Sequence, residues 1–463
     1  MDDELALTID ASKKSYEAGL WGLGETLTRV SREGRIVPWL AESVTNVDPL
    51  RWRVALRKNA RFWDGTPVTA EAVAASFRKN WEVQPDVDPL ISKRTELRVL
   101  DGTTLEFKTP EPTGNLANQL AYHQFIVHKN GTVMTGPYRP VAFEPDRELT
   151  LEPFREHWMG IPPISRIVVR AIPDLDARAD ALLTGAVDMV YGLPPDRLAR
   201  FPATAYDVMA IPSKRIVFIQ LNHTAPPFDD RRVRQATALA LDRDTLVQEA
   251  MSGRGAVATG LFPAYGGVEV VPIQGTDRAR AKQLLDEAGW RMGPDGVRVK
   301  NGRRLAMTLY SFPLLRVVTP LARAVQKQLR PLGYEVAVED VPTIVKYLQQ
   351  GEFEMAMRGI NTLPTGDPYF LLRAMLARDG RTNLGKYLNP RVEELLDDLR
   401  HETEPTRREA FSRQIQQIVA SDVPNVFLAF TPITIVTPRG KLRGFLPGSN
   451  TEYLIDGTFS VSP

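Results

Sequence analysis

The segment LARAVQKQLRPLGYEVAVED, residues 321 to 340, constrains the fold more than any other stretch of the chain. Leu321, Val325 and Leu329 recur at the spacing of one helix face; Pro331 and Gly333 then interrupt, and Tyr334, Val336 and Val338 alternate at the period of a strand. A connection this short lays the helix on the sheet that the strand joins, which is α/β architecture. TDRARAKQLLDEAGW repeats the grammar: Thr276 or Asp277 starts a helix, Ala281, Leu284, Leu285 and Ala288 share a face, and Gly289 stops it. RFWDGTPVTAEAVAASFRKN, residues 61 to 80, predicts a tight turn at Asp64-Gly65, an extended residue at Pro67, and a helix capped by Thr69 with Val73, Phe77 and Trp81 on one stripe. Strand alternation is expected at Leu5, Leu7 and Ile9, at Trp52, Val54 and Leu56, and at Leu105 and Phe107. The stretch Ala225-Pro226-Pro227-Phe228-Asp229-Asp230 is expected to connect domains.

With 463 residues the chain exceeds a single core, and two or three domains are expected. A hydrophobic share of 43% and a charged share of 25% are those of a globular protein, not a disordered one. Lys plus Arg number 58 against 56 acids, so a net charge of +2 supplies no general field for nucleic acid or an anionic membrane. Cysteine is absent, which excludes thiol nucleophiles, disulfides, iron–sulfur clusters and cysteine-ligated zinc, and favours an exported protein that avoids mispaired thiols. The chain has no apolar run of about 18 residues, the length a membrane-spanning helix needs. MDDELALTIDAS reads as a first strand, so the signal peptide of an exported protein is expected to be missing from this numbering.

Catalytic signatures are missing as well. There is no GxxxxGK[ST] loop, no GxSxG elbow and no HExxH, and the cluster GLWGLG at 19 to 24 lacks dinucleotide-binding spacing. His401-Glu402 and Asp397-Asp398 lie in a charged amphipathic stretch that reads as a solvated helix face. His123 and His128, five residues apart, would not share a metal on either a helix or a strand. Nothing assembles into a nucleophile with its base, so no catalytic residue, metal site or cofactor is expected.

Four long phrases, in order, resemble one family: IVPWLAESVTN (36–46), LRKNARFWDGTPVTAEAVAASFRKN (56–80), MTGPYRPVAFEPDRELTLEPFREHWMGIPPISRIVVRAIPD (134–174) and FDDRRVRQATALALDRDTLVQEAMSGRGAVA (228–258). They are similar to the peptide/nickel class, family 5, of extracellular solute-binding proteins of ABC importers. The resemblance implies an α/β, two-lobed periplasmic-binding-protein-like fold with a hinge and an extra α/β subdomain in the first lobe. On that map lobe I is residues 1–240 plus 432–463, with the extra subdomain at about 45–155, and lobe II is 241–431. It further implies capture of a small-molecule or peptide-like ligand in the interlobe cleft by a monomeric periplasmic protein, and delivery to an inner-membrane ABC permease with ATPase subunits. No nucleic acid is expected as a partner. A hydrolase or a chaperone on the same fold is the rival class.

In peptide-binding relatives the second-lobe segment runs Trp-x-x-Asp-x-x-(Asp/Glu)-Pro, its first acid holding the peptide ammonium. Here Asn361-Thr362-Leu363-Pro364-Thr365-Gly366-Asp367-Pro368 puts proline at that acid. Nickel-binding relatives also lack the acid, but their pocket tryptophan falls on Thr362, and no histidine follows Pro368 until His401. The resemblance therefore implies an organic solute, such as a metal chelate or a modified or opine-like peptide, with an ordinary di- or oligopeptide as the alternative. Carried over by position, the ligand-binding residues are Tyr16, Glu17, His123, Gln124, Arg358, Asn361 and Thr362.

Overall fold

The computed structural model describes residues 7–84, 87, 90–273, 275–313, 316–448 and 453–462. Its largest sheet has seven strands built around two long antiparallel ones, Tyr206–Leu221 and Asn425–Pro438. Met355–Asn361 pairs antiparallel with Tyr206–Leu221, and Ala306–Ser311 then joins parallel both to it and to Glu335–Asp340. The helix-to-strand unit expected from the sequence supplies the last of these. Helix Val318–Leu329 buries Leu321, Val325 and Leu329, and the chain turns at Gly333 with φ at 90° before Glu335–Asp340. Only glycine suits that turn, because φ is left-handed and a Cβ there would lie 2.5 Å from Arg298 Cγ.

One core gathers Val217, Ile219, Leu221, Val233, Leu285, Leu321, Val325, Met355 and Met357 on one sheet face. The other face covers Ile216, Phe218, Leu371, Leu395, Ile415 and Phe427. Alternating residues of the same strands thus feed opposite cores, as a sheet covered on both sides requires. A separate core unites Leu20, Leu23, Tyr138, Leu149, Leu151, Ile433 and Ile435. The stretch Ala225–Asp230, expected as a connection, lies inside a packing unit: Phe228 is fully buried in the same core as Val233 and Leu285.

A four-stranded antiparallel sheet runs in the order Ala41–Asp48, Arg51–Leu56, Thr104–Lys108, Glu96–Asp101. Helix Ala70–Val83 covers it, joining Val73 and Phe77 to Trp52, Val54, Leu56, Leu105 and Phe107 in one core. Thr69 caps that helix by accepting from Ala72 N at 3.2 Å, and Gly65 takes the turn ahead of it with φ at 80°. The expected strands at 52–56 and 105–107 are therefore present.

The first expected strand is not. Leu5 lies outside the described residues, and Leu7 and Ile9 are in coil, packed on the core of Leu20 and Leu23. Side chains bend the backbone there: Thr8 Oγ1 accepts from Asp10 N at 3.0 Å, and Asp10 Oδ1 accepts from Ser12 N at 3.0 Å and from Ser12 Oγ at 2.6 Å. Such local bonds compete with a ladder, and alternation alone does not reveal them.

Candidate functional site

Helix Ser15–Leu20 and the short 3-10 turn His123–Phe125 meet through their side chains. Ser15 Oγ lies 2.9 Å from His123 Nδ1, and the Tyr16 ring meets the imidazole edge-on at 5.6 Å. The Tyr122 ring lies tilted against the same imidazole, 4.3 Å between ring centres. Burial, with repulsion from Arg381 added, pushes the His123 pKa down to about 3, so the ring is neutral at physiological pH. Gln124 is fixed by its carbonyl, which accepts from Gln84 Nε2 at 3.4 Å, while its side-chain Oε1 is buried without a partner. Glu17 shares the helix of Tyr16 and is half-buried.

The second half of the site follows strand Met355–Asn361. Asn361 Oδ1 accepts from Leu363 N at 3.3 Å, closing a small turn. Thr362 is fully buried, and its N–H and hydroxyl both donate to Lys214 O at 2.9 Å. Thr362 consequently ties its loop to the neighbouring strand and has no donor left to offer. Asp367 is neutralised: its Oδ2 lies 2.7 Å from Arg408 Nη2, its Oδ1 accepts from Tyr369 N at 2.8 Å, and both charged side chains are under 10% exposed (8% and 9%). Pro364 takes the place of the acid that peptide receptors use, and Asp367 does not substitute for it.

Contacts across a seam bring the two halves together. Asn118 Nδ2 donates to Thr365 O at 3.0 Å, and the Phe370 ring packs on Tyr122 at 5.2 Å. Arg381 sits over the Phe370 ring, 5.1 Å from its centre. Gly34 and Gly266 meet backbone to backbone, and Gly366 lies against Gly34 O. Farther along, Glu111 pairs with Arg400 at 2.9 Å, and Gly114 N donates to Arg400 O at 3.2 Å.

Of the sequence-expected residues, Tyr16 and His123 are in contact, Glu17 and Gln124 adjoin them, and Asn361 and Thr362 begin the loop that crosses to their side. Arg358 lies three residues back on the strand. Sequence reasoning missed Asn118, Tyr122, Phe370 and Arg381. An aromatic residue in an apolar helix such as Tyr369–Leu376 reads as core, so Phe370 gave no signal of its own. Among the described residues no three His, Asp or Glu side chains gather at metal-holding distance, and no helix is long and apolar enough to cross a membrane. This arrangement of a neutral imidazole, aromatic walls and scattered polar groups suits recognition of a solute.

Comparison with known proteins agrees with this geometry. The chain is 27% identical over 455 residues to the nickel-binding periplasmic protein of Escherichia coli (strain K12), covering 91% of this chain and 86% of that one. Its fold matches NikA from Brucella suis in complex with Fe(III)-EDTA with a TM-score of 0.86 at 22% identity, over 98% of this chain and 95% of that one. It also matches NikA from Staphylococcus aureus in complex with Ni(L-His)2, with a TM-score of 0.81 at 21% identity, over 98% and 97% of the two chains. The two-lobed α/β fold expected from the sequence is therefore present. The family of bacterial extracellular solute-binding proteins, family 5 (middle), matches residues 35–383, and the chain belongs to it.

Proposed function

We propose that the protein is the substrate-binding component of an ABC importer: a periplasmic monomer that captures a small organic solute between two lobes, closes over it, and hands it to an inner-membrane permease with ATPase subunits. The observation that carries this reading is the course of strand Asn425–Pro438. Its Phe427 and Phe430 belong to one core and its Ile433 and Ile435 to another, so the strand passes between packing units. Its partner Tyr206–Leu221 loses register at the same level, between Pro212, opposite Pro432, and Ile216, opposite Phe430. Two strands crossing at one level suit a hinge. We accordingly place the first crossing near residue 214 rather than 240, because helix Arg231–Ala240 contributes Val233 and Ala236 to the second unit's core. The second crossing falls near 431, and the extra subdomain at about 45–155 stays with the first lobe.

The chemistry of the seam supports an organic solute, whether a metal chelate or a modified peptide. An amine-led grip needs a carboxylate at residue 364, where proline stands, and burying an ammonium without one is costly. Ser15 Oγ lies beside His123 Nδ1, but among the described residues no carboxylate orients that imidazole, which supports a carrier that returns its ligand chemically intact. The test is small-angle scattering and thermal melting with Ni(L-His)2, Fe(III)-EDTA, a dipeptide panel and a periplasmic metabolite extract. A ligand at a hundredfold excess over Kd that binds only the folded protein adds about 2.7 kcal/mol, so the melting temperature should rise and the radius of gyration shrink. If neither quantity moves with any of these, the receptor reading fails.

A further inference from the structure

Residues 109–115 follow strand Thr104–Lys108 and are pinned to their own subdomain. Thr109 N donates to Leu50 O at 2.8 Å, Thr113 N to Pro49 O at 3.1 Å, and Trp52 Nε1 to Thr113 O at 3.0 Å. Their outer side meets the carboxyl end of helix Pro390–His401, which the boundaries proposed above put in the second lobe. A helix end leaves its last carbonyls without intrahelical donors. Arg408 supplies Leu399 O and Glu402 O from within that lobe, whereas Arg400 O takes Gly114 N at 3.2 Å. Beside it, Glu111 Oε2 lies 2.9 Å from Arg400 Nη1 and 3.7 Å from His401 Nε2, while Glu111 Oε1 lies 3.4 Å from Arg94 Nη2.

Gly114 sets how closely the two sides approach. A Cβ there would lie 1.6 Å from Glu402 O, 2.5 Å from Glu402 C and 2.7 Å from Arg408 Nη1, so the three atoms it would strike first all belong to the other lobe. Gly114 is not among the residues with a left-handed φ, so close approach and not backbone conformation calls for glycine. Behind the loop, Thr95, Thr109 and Gln119 from one side and Tyr369 and Arg400 from the other line a cavity of about 20 Å³, room for one water and none for a solute. Two of the lining groups, Thr95 Oγ1 and Gln119 Oε1, are buried without a hydrogen-bond partner. Stripping water from such groups on closure opposes the Glu111 pairing, so the contact is one that opens again. None of these atoms belongs to the residues expected to touch the solute, and the contact can therefore form whether or not the cleft is filled.

We infer that this contact is a clasp: loop 109–115 of the extra subdomain docks on the end of helix Pro390–His401 through Glu111 and Gly114, and holds a fraction of the protein closed before a solute arrives. Glu111 is then a positioning residue for capture. The clasp raises the apparent affinity for any solute that binds the closed form in proportion to the closed fraction. This goes beyond the receptor reading above and rests on it.

The chain has no cysteine, so Lys58→Cys and Lys282→Cys, exposed and one on each side, accept a pair of nitroxide labels. Dipolar spectroscopy on the ligand-free full chain should show two distances, and Gly114→Ala should remove the one that belongs to the closed form. Glu111→Gln should lower the closed-to-open ratio about two- to fivefold, as expected for a solvent-exposed ion pair. Its melting temperature should stay within about 2 °C of the wild type, as for other surface substitutions. Combining Glu111→Gln with Arg400→Gln should lower the ratio by less than the product of the two single effects. A single distance in the wild type, a closed distance that survives Gly114→Ala, or an unchanged ratio in Glu111→Gln overturns the inference; a larger fall in the melting temperature of Glu111→Gln marks that residue as structural and overturns it too. Periplasmic metabolite extract separates the two readings. If extract shifts the wild type to the closed distance and Gly114→Ala reaches the same distance with and without it, the clasp fails while the receptor reading stands. If extract shifts neither protein although Gly114→Ala has lost the closed distance, the clasp stands and the receptor reading fails.

Discussion

Asp367→Asn tests whether the acid that remains in the pocket segment is held by Arg408 and withdrawn from the ligand. The substitution keeps Oδ1 as an acceptor for Tyr369 N and removes only the charge facing Arg408. Arg408, buried, would remain tied to Leu399 O and Glu402 O but would have no anion. Leaving one member of a buried ion pair alone costs about 3–5 kcal/mol. For a unit of roughly 200 residues each kcal/mol moves the melting temperature by about 2–4 °C, so the drop should be roughly 6 °C or more in scanning calorimetry. Because the pair anchors the loop after Pro364 to helix Pro405–Asp422, ligand affinity should fall as well. Combining Asp367→Asn with Arg408→Met should cost much less than the two changes summed, since no charge is then left alone. Strict additivity in that double-mutant cycle, or a loss below about 1 kcal/mol for Asp367→Asn, would refute the claim that Asp367 is held by Arg408 and unavailable to the ligand.

His123 should stay neutral through the physiological range. Its folded pKa of about 3 lies below the ordinary 6.5, so the unfolded chain binds the proton first, and this group's contribution to stability is full above pH 6.5 and lost as pH falls toward 3. An imidazole resonance of His123 titrating with a midpoint near 6.5 would contradict the packing of Tyr16 and Tyr122 around it. Gly333→Ala should destabilise the protein by about 1–3 kcal/mol, since it forces a Cβ onto a left-handed turn and against Arg298. A denaturation midpoint unchanged by that substitution would argue against the turn.

What could be read from the sequence was what short-range physics fixes. The Thr69 cap, the Gly65 and Gly333 turns, and the 321–340 helix-to-strand unit depend on neighbours within a few positions, and each is present as expected. The family phrases carried the two-lobed fold because the family they resemble matches residues 35–383. The failure at Leu7 and Ile9 was also local, but it turned on hydroxyl and carboxylate bonds that a hydropathy pattern does not contain.

The site was legible in part. Tyr16, His123 and Asn361 could be named by position, yet whether a side chain is free or engaged depends on groups far away along the chain. Thr362 is bound to Lys214, Asp367 to Arg408, and Phe370 to Tyr122, and none of those pairings follows from spacing along the chain. The sequence by itself thus determined the elements, the absence of thiol chemistry and the replacement of an acid by Pro364. Only the tertiary structure decided which cations are compensated: packing of segments far apart in the chain brings Asp422 O to Arg234, Phe427 O to Arg243, Leu332 O to Arg298 and the Asp367 carboxylate to Arg408, and among the described residues it brings no such group to Arg358.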